Sequence, residues 1–536
     1  MTDPIVATTS SLLDRIVSVL FAISVIAWMF YVPAQPERLM SYIPDRAQAV
    51  IRVHDPVEQL GVLAEHPLIR RAEQEKVFDA GPLRSFLSDE SMVTWLGRVV
   101  GDDLVVAHEP PIYGAGGRQE GWMVGAWIGG YGTAAIWGLT FSSEFDMAPE
   151  PFGAGHVLYG LKERRAGYDV AVTVYYGLLL AYVSKQDAAE GLKRMLARAD
   201  FYPERPSVVE LSPDSSGGEI EFWFDRARYQ RFGRRYSPDY MAGEIDFSPK
   251  GRLAVTADAR WGLNGLVEFS ADSKALVALG GTLGDRMDAI YLGGQNSLKR
   301  IFDGPAGPSW AQIVVNQINA LVGEDRLAFV GMMSGGGLSG RVGLMGTAGG
   351  ERRLRELAVP TFLGGVYVGE LSASDTEVVV NRVIDLLNAR YSLGLVPRRE
   401  MFEGHSVTIF DPTTDNGYAR QHPEYRVALV VKDGWLIVCA HVQPLRGLLS
   451  TEDAAVPAWI PGGQDAALKA SLWFRTHDVK PFRDILACMR MLGVGRMSSD
   501  DHAMIKGLLN SFQNYESIRA DVIGGELTDR LRIVLE

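Results

Sequence analysis

Apolar and polar residues alternate along short stretches of this chain. "AVIRVH", "DVAVTVYY", "GEIEFWF" and "RLAVTADARW" each put apolar side chains on one side of an extended backbone and polar ones on the other, and this period of two predicts strands. A helical period is rarer and predicts helices over residues 56–64, 188–199, 374–389 and 501–512. The third is "SASDTEVVVNRVIDLL", where Ser374 or Asp375 can cap the first turn. Successive strands are separated by short glycine-bearing turns, which implies antiparallel pairing.

The pattern is written twice. "GYDVAVTVYYGLLLAYVSKQDAAEGLKRML" in the first half matches "EYRVALVVKDGWLIVCAHVQPLRGLL" in the second, so that Tyr168, Val170, Ala171, Val174 and Gly177 align with Tyr425, Val427, Ala428, Val431 and Gly434. A Gly-His pair precedes each block, at Gly155-His156 and Gly404-His405. Trp223-Phe224 follows the first and Trp473-Phe474 the second. Further out, "DRAQAVIRVHDPVEQL" parallels "DRMDAIYLGGQNSLKRI", and "VVGDDLVVAHEPP" parallels "LVGEDRLAFVGMM". "KGRLAVTADARW" and "TDRLRIVLE" are both terminal strands. The blocks keep their order, which points to a tandem duplication. The fold class expected is α+β. A short tail (1–15) and a transmembrane anchor (16–36) precede two duplicated domains (41–275 and 281–536), each an antiparallel sheet with helices on one face.

The anchor rests on "IVSVLFAISVIAWMFYV", an uncharged run from Ile16 with Trp28, Phe30 and Tyr31 at its end. As a helix it would span roughly 25 Å, close to the hydrocarbon thickness of a bilayer. Aromatic rings suit the membrane–water boundary, and Pro33 and Pro36 would end the helix. A cleaved signal peptide is the alternative, against which stand the length of the run and the lack of a small-x-small site in "YVPAQPE". A soluble core helix is the third reading. Arg15 before the run and Arg38, Arg46 and Arg52 after it favour a cytoplasmic body if taken literally. Long domains translocate largely regardless of charge, so the expectation is a single-pass protein of a bacterial inner membrane with a periplasmic or otherwise extracytoplasmic body.

At 536 residues, 47% hydrophobic and 22% charged, the chain is globular. A net charge of −12 argues against a nucleic-acid partner. Cys439 and Cys488 have no metal-site spacing; two buried thiols are favoured over a bridge.

Candidate chemistry is sparse. Gly335, Gly337 and Gly340 fit G-x-G-x-x-G, but "RVGLMGTAGG" follows as a strand rather than the helix that a dinucleotide-binding turn needs. The corresponding stretch of the first half lacks the fingerprint, so both read as hairpin loops. The paired histidines have no metal-ligating neighbours, and "DPTTDNG" departs from a calcium loop at its sixth and twelfth positions, Asn416 and His422. Ser334 and Ser339 make no nucleophile motif, and Asp102-Asp103 and Glu324-Asp325 fall at hairpin-like positions. Met332-Met333 reads as core. "DRARYQRFGRRY" is the one basic patch interleaved with aromatics: Arg226, Arg228, Arg231, Arg234 and Arg235 could meet an anionic ligand or lipid, although a solvated helix face explains them as well. No cofactor or metal is expected.

"YIPDRAQAVIRVHDPVEQLGVLAEHPLIRRAEQ" resembles the start of an uncharacterised family of bacterial envelope proteins, in which a short N-terminal span precedes a motif close to Pro-Ala-Asp-Thr-x-Ala, a strand and a helix. Pro44, Asp45, Ala47, Ala49, Pro67 and Leu68 match, and Arg46 stands where the family usually has threonine. The resemblance implies a membrane-tethered extracytoplasmic body and brings no catalytic residues. The function expected is a non-enzymatic structural or accessory subunit of an envelope complex, held to the bilayer and to protein partners. The alternatives are a module binding an anionic lipid or small ligand where the two copies meet, and an undetected hydrolase.

Overall fold

The computed structural model describes residues 36–75, 100, 103–147, 157–201, 220–225, 239–260, 273–294, 316–317, 320, 326–412, 426–461, 468–483 and 499–535, apart from short stretches within those ranges. The first series of strands is β1 (Ala49–His54), β2 (Asp103–Gly114), β3 (Gly117–Trp127), β4 (Phe145–Met147), β5 (Tyr159–Leu161), β6 (Asp169–Tyr175), β7 (Leu178–Ser184), β8 (Ile220–Asp225), β9 (Tyr240–Phe247) and β10 (Leu253–Arg260). The second series is β11 (Ala289–Gly294), β12 (Leu327–Met333), β13 (Gly340–Ala348), β14 (Glu351–Val359), β15 (Thr361–Tyr367), β16 (Leu395–Phe402), β17 (His405–Pro412), β18 (Ala428–Lys432), β19 (Trp435–Cys439), β20 (Leu468–Arg475), β21 (Ser517–Ile523) and β22 (Asp529–Leu535).

The chain divides into two compact units. One holds residues 1–64, 81–232 and 240–246; the other holds 65–80, 233–239 and 247–536. In the first the strand order is β4-β5-β6-β7-β3-β2-β1-β8-β9. In the second it is β16-β17-β18-β19-β15-β12-β11-β20-β21-β22-β10. Every pairing is antiparallel. Within the second unit β10, the last strand of the first series, lies beside β22, the last of the second, and Val255 sits opposite Ile533. Those two residues are themselves equivalent when Arg252-Leu253 is aligned with Arg530-Leu531.

Equivalent residues do equivalent work in the two series. Trp223 stands opposite Val50 and Trp473 opposite Ile290. Gly177 and Gly434 turn their hairpins at φ 78° and 77°, a region that favours glycine. The carbonyl of Gly177 accepts from the N–H groups of Ile128 and Gly129 at 2.7 and 3.0 Å, and that of Gly434 from Val368 and Gly369 at 2.8 and 3.1 Å. Tyr425, expected to match Tyr168, lies outside the described residues.

The expected fold class, an anchor followed by two separate sheets each with helices on one face, is corrected. The structure is mostly one antiparallel sheet of 20 strands, beside a two-stranded β13–β14 ribbon, with few helices. The helices also use both faces. The central strands of the second unit are the reason: β12 (LAFVGMM) and β19 (WLIVC) are apolar at every position, and such strands need cover on both sides. One face carries Leu327, Phe329, Leu363, Trp435 and Ile437 under α5 (Ser273–Leu283) and α7 (Val442–Leu449). The other carries Ala328, Val366, Leu429 and Leu436 under Val379, Val380 and Ile384 of α6 (Ala373–Tyr391).

The first unit has the same arrangement. A 3-10 turn (Pro36–Tyr42) and α4 (Ala188–Phe201) cover Val50, Val105, Ala107, Met123, Leu180 and Trp223. On the opposite face Ala135 of α3 (Gly132–Phe141) packs near Ala126 and Ile128. The remaining helices are α1 (Pro56–Glu65), α2 (Pro67–Gln74) and α8 (Ser499–Ser511). Beside α2, Glu75 accepts from Asn510 of α8 at 2.7 Å.

No described helix is long and apolar enough to cross a membrane. The anchor expected over 16–36, with Ile16, Trp28, Phe30 and Tyr31, lies outside the described residues up to 35, and Pro36 already belongs to the 3-10 turn.

Candidate functional site

Charge gathers at one place on the helix-covered face of the first unit. Arg52 and His54 stand two apart on β1 and therefore point the same way. Their cross-strand neighbours on that face are Asp103 of β2 and Glu221 of β8. Arg52 binds Asp103 with two hydrogen bonds, at 3.1 and 2.9 Å, and its third nitrogen lies 3.5 Å from Glu221. His54 places Nδ1 2.7 Å from Asp103 and Nε2 3.7 Å from Glu221. Glu244 of β9 lies opposite Glu221. The Arg52 guanidinium is held above its ordinary pKa: burial works against the charge, and Asp103 followed by Glu221 outweighs it.

Burial pushes the Glu244 carboxyl up, helped by the charges of Asp246 and Glu221. A raised carboxyl pKa contributes stability that is present below the ordinary glutamate range and lost as pH rises through the raised value. Glu244→Gln should therefore be more stable than the parent at neutral pH, and the gap should close as pH falls towards about 4, the range of an ordinary glutamate. Urea-unfolding midpoints measured across that range test the sign.

A second polar group lies further along the same face. Tyr182 donates to Glu109 Oε2 at 2.5 Å, and Arg194 donates to the same oxygen at 3.3 Å. The tyrosine hydroxyl is pushed up, first by burial and then by the Glu109 charge. A Cβ on Gly121 or Gly191 would overlap its ring, so both glycines leave the space that the tyrosine fills.

Neither group is a requirement of the fold. In the second unit the positions of Arg52, His54, Asp103 and Glu221 are taken by Leu292, Gly294, Leu327 and Ser471. Those of Glu109 and Tyr182 are taken by Met333 and Cys439, and Leu292, Leu327, Met333 and Cys439 all lie in apolar core. Comparing "AVIRVH" with "AIYLGG" was the one signal in the sequence that could have found the cluster. Chemically the groups can pair charge, with the His54 ring set between two carboxylates. They contain no serine or thiol nucleophile.

Away from α3, the opposite face of the first unit exposes apolar side chains. Ile51 and Trp122 are exposed, with Phe222 half-buried beside Ile51. Trp122 leans on the His108 ring, 4.3 Å between centroids. In the second unit Tyr291, Phe362 and Leu472 stand at the same positions, and Phe362 is as open as Trp122, 45% against 42% exposed.

The residues singled out from the sequence fall as follows. Gly340 opens strand β13, which excludes a strand-to-helix phosphate turn there; Gly335, Gly337, Ser334 and Ser339 lie outside the described residues. Gly404, at φ 77°, forms the β16–β17 turn with Glu403, and His405 opens β17 opposite Phe402; Gly155-His156 lies outside the described residues. Asp411 is ion-paired with Arg398 and Arg426 at 2.8 and 2.5 Å. Asp103 belongs to the cluster, Asp102 and Glu324-Asp325 lie outside, and Met332 and Met333 are buried. Arg226, Arg228, Arg231, Arg234 and Arg235 all lie outside the described residues, as does Cys488. Cys439 is a free, buried thiol that burial pushes up to about 11. Among the described residues no group of three or more His, Cys, Asp or Glu could hold a metal ion. Compared with known proteins, the chain matches no family model, no curated protein and no solved structure.

Proposed function

We propose that the protein is a non-enzymatic structural or accessory subunit of a membrane protein complex. In this reading the apolar run 16–32 holds it to a bacterial inner membrane and the body lies outside the cytoplasm. The supporting observation is a set of exposed apolar side chains at matching positions in both units, Ile51 and Trp122 in the first and Phe362 and Leu472 in the second. Large aromatic side chains held outward on a rigid sheet suit a protein–protein contact, and contiguous exposed apolar surface marks such contacts in general. Ion pairing in the Arg52 cluster leaves its charges engaged with each other, which fits a structural part better than a reactive one. The sequence resemblance around Pro44 and Ala47 is in keeping with an envelope location.

A photo-crosslinking residue at position 122 or 362 of the full chain in its native membrane tests the reading. Both positions are expected to give the same discrete adduct with a membrane-complex protein, and Ile51→Glu should abolish the adduct at 122. No adduct at either position would overturn the proposal.

A further inference from the structure

The helix α3 is apolar nearly all round. Its sequence, GTAAIWGLTF, has no charged residue. Ala135 packs on the sheet, Leu139 one turn further on is half-buried, and Thr140 bonds Tyr159 at 2.9 Å. Trp137 and Phe141, four apart and so on one stripe, point away and are 63% and 84% exposed. Ile136 on the helix, Tyr131 before it and Met147 after it are exposed as well. Nothing in the fold demands such a surface, because the second unit supplies a control. Its helix α6 occupies the same place after the equivalent strand, yet its exposed side is interspersed with Asp375, Glu377, Arg382, Asp385 and Arg390, and Ser372 caps it.

The position of α3 along the chain says what covers it. The apolar run ends at Val32, four residues before Pro36 opens the 3-10 turn. Four residues reach about 14 Å at most. Leu39 of that turn packs against Gly125 near the end of β3 on one face of the sheet, and α3, on the other face, begins five residues beyond that strand's last residue, Trp127. A run embedded in lipid would thus hold the end of the sheet where β3 finishes, and with it the start of α3 beside Val174 and Gly177, close to the bilayer surface.

We propose that α3 is a membrane-contact helix, lying in the interfacial layer of the bilayer with Ile136, Trp137 and Phe141 turned into it; this rests on the reading that the run 16–32 sits in lipid. Aromatic side chains favour that layer. The helix carries no lysine or arginine, and Glu144 and Asp146 follow it. Its contact is therefore apolar rather than electrostatic, and it takes zwitterionic lipid.

The test uses the full chain with Cys439→Ala and Cys488→Ala, reconstituted in phosphatidylcholine nanodiscs and spin-labelled at one introduced cysteine. Trp137→Cys and Phe141→Cys report α3, Leu20→Cys reports the apolar run, and Val378→Cys on α6, 63% exposed like Trp137, reports an aqueous helix. Expected is a loss of access to a water-soluble nickel relaxant at 137 and 141, with access to oxygen kept, while 378 stays open to nickel. Adding anionic lipid should leave the pattern unchanged. If 137 and 141 behave like 378 while position 20 reads lipid, the contact is refuted and membrane attachment stands. Should position 20 also read water, attachment fails and the contact fails with it. Labels shielded from both relaxants would mean that protein, not lipid, covers α3, which also overturns it.

Discussion

Arg52→Leu should destabilise the first unit by about 3 kcal/mol, the lower end of what breaking a buried ion pair costs. The leucine itself is acceptable at this position of the fold, since Leu292 occupies the same place in the second unit and is buried there. The cost comes from what remains. The side chains of Asp103 and Glu221 are each only 7% exposed and would face one another without the guanidinium that now spans them. Adding Asp103→Leu and Glu221→Ser, so that three of the four positions carry the residues of the second unit and only His54 remains, should return the urea midpoint to within about 1 kcal/mol of the parent, because the carboxylates left unpaired go with the guanidinium and apolar packing replaces the ion pair at near-neutral cost. A triple variant as unstable as the single one would show that packing rather than charge governs the site.

Gly434→Val should cost a similar amount, about 3 kcal/mol, by adding backbone strain to steric overlap. The glycine sits at φ 77° after Asp433 at φ 50°, in the two-residue turn joining β18 and β19. A Cβ there would come within 2.8 Å of the Tyr367 ring and 3.3 Å of the Gly369 carbonyl oxygen. That oxygen belongs to backbone fixed by its own hydrogen bond to Gly434, so it has little freedom to retreat. Gly177→Val, with the same φ and the same paired hydrogen bonds, should lose about 2 kcal/mol from strain. Denaturation of the two variants in parallel measures both; a Gly434→Val chain as stable as the parent would contradict this account of the turn.

The sequence carries the parts that are encoded locally. The Asp433-Gly434 turn, the alternation of β1 and β10 and the strand after Gly340 each follow from a few adjacent residues. What escaped is encoded at a distance. Arg52 in "AVIRVH" reads as the solvent side of a strand, and only Asp103 and Glu221, 51 and 169 positions away, turn it into a half-buried charge. The place of β10 beside β22, within the second unit, is a pairing that no local pattern near either strand announces. Periodicity says that α6 has an apolar side but not which face of the sheet it covers. The helix α3 was invisible for another reason: being apolar on nearly every side and opened by glycines, it has no helical period to detect.

The meeting of Val255 with Ile533 has a further meaning. When a residue lies opposite its own counterpart, the two strands are related by a local twofold axis, as two copies of one strand would be. A chain with one repeat would present its final strand as an open edge, ready to join any similar strand. Such chains would associate only as far as their concentration allowed. Carrying β10 and β22 on one chain makes that encounter intramolecular, so the strands stay joined on dilution and the choice of partner is made once, at synthesis.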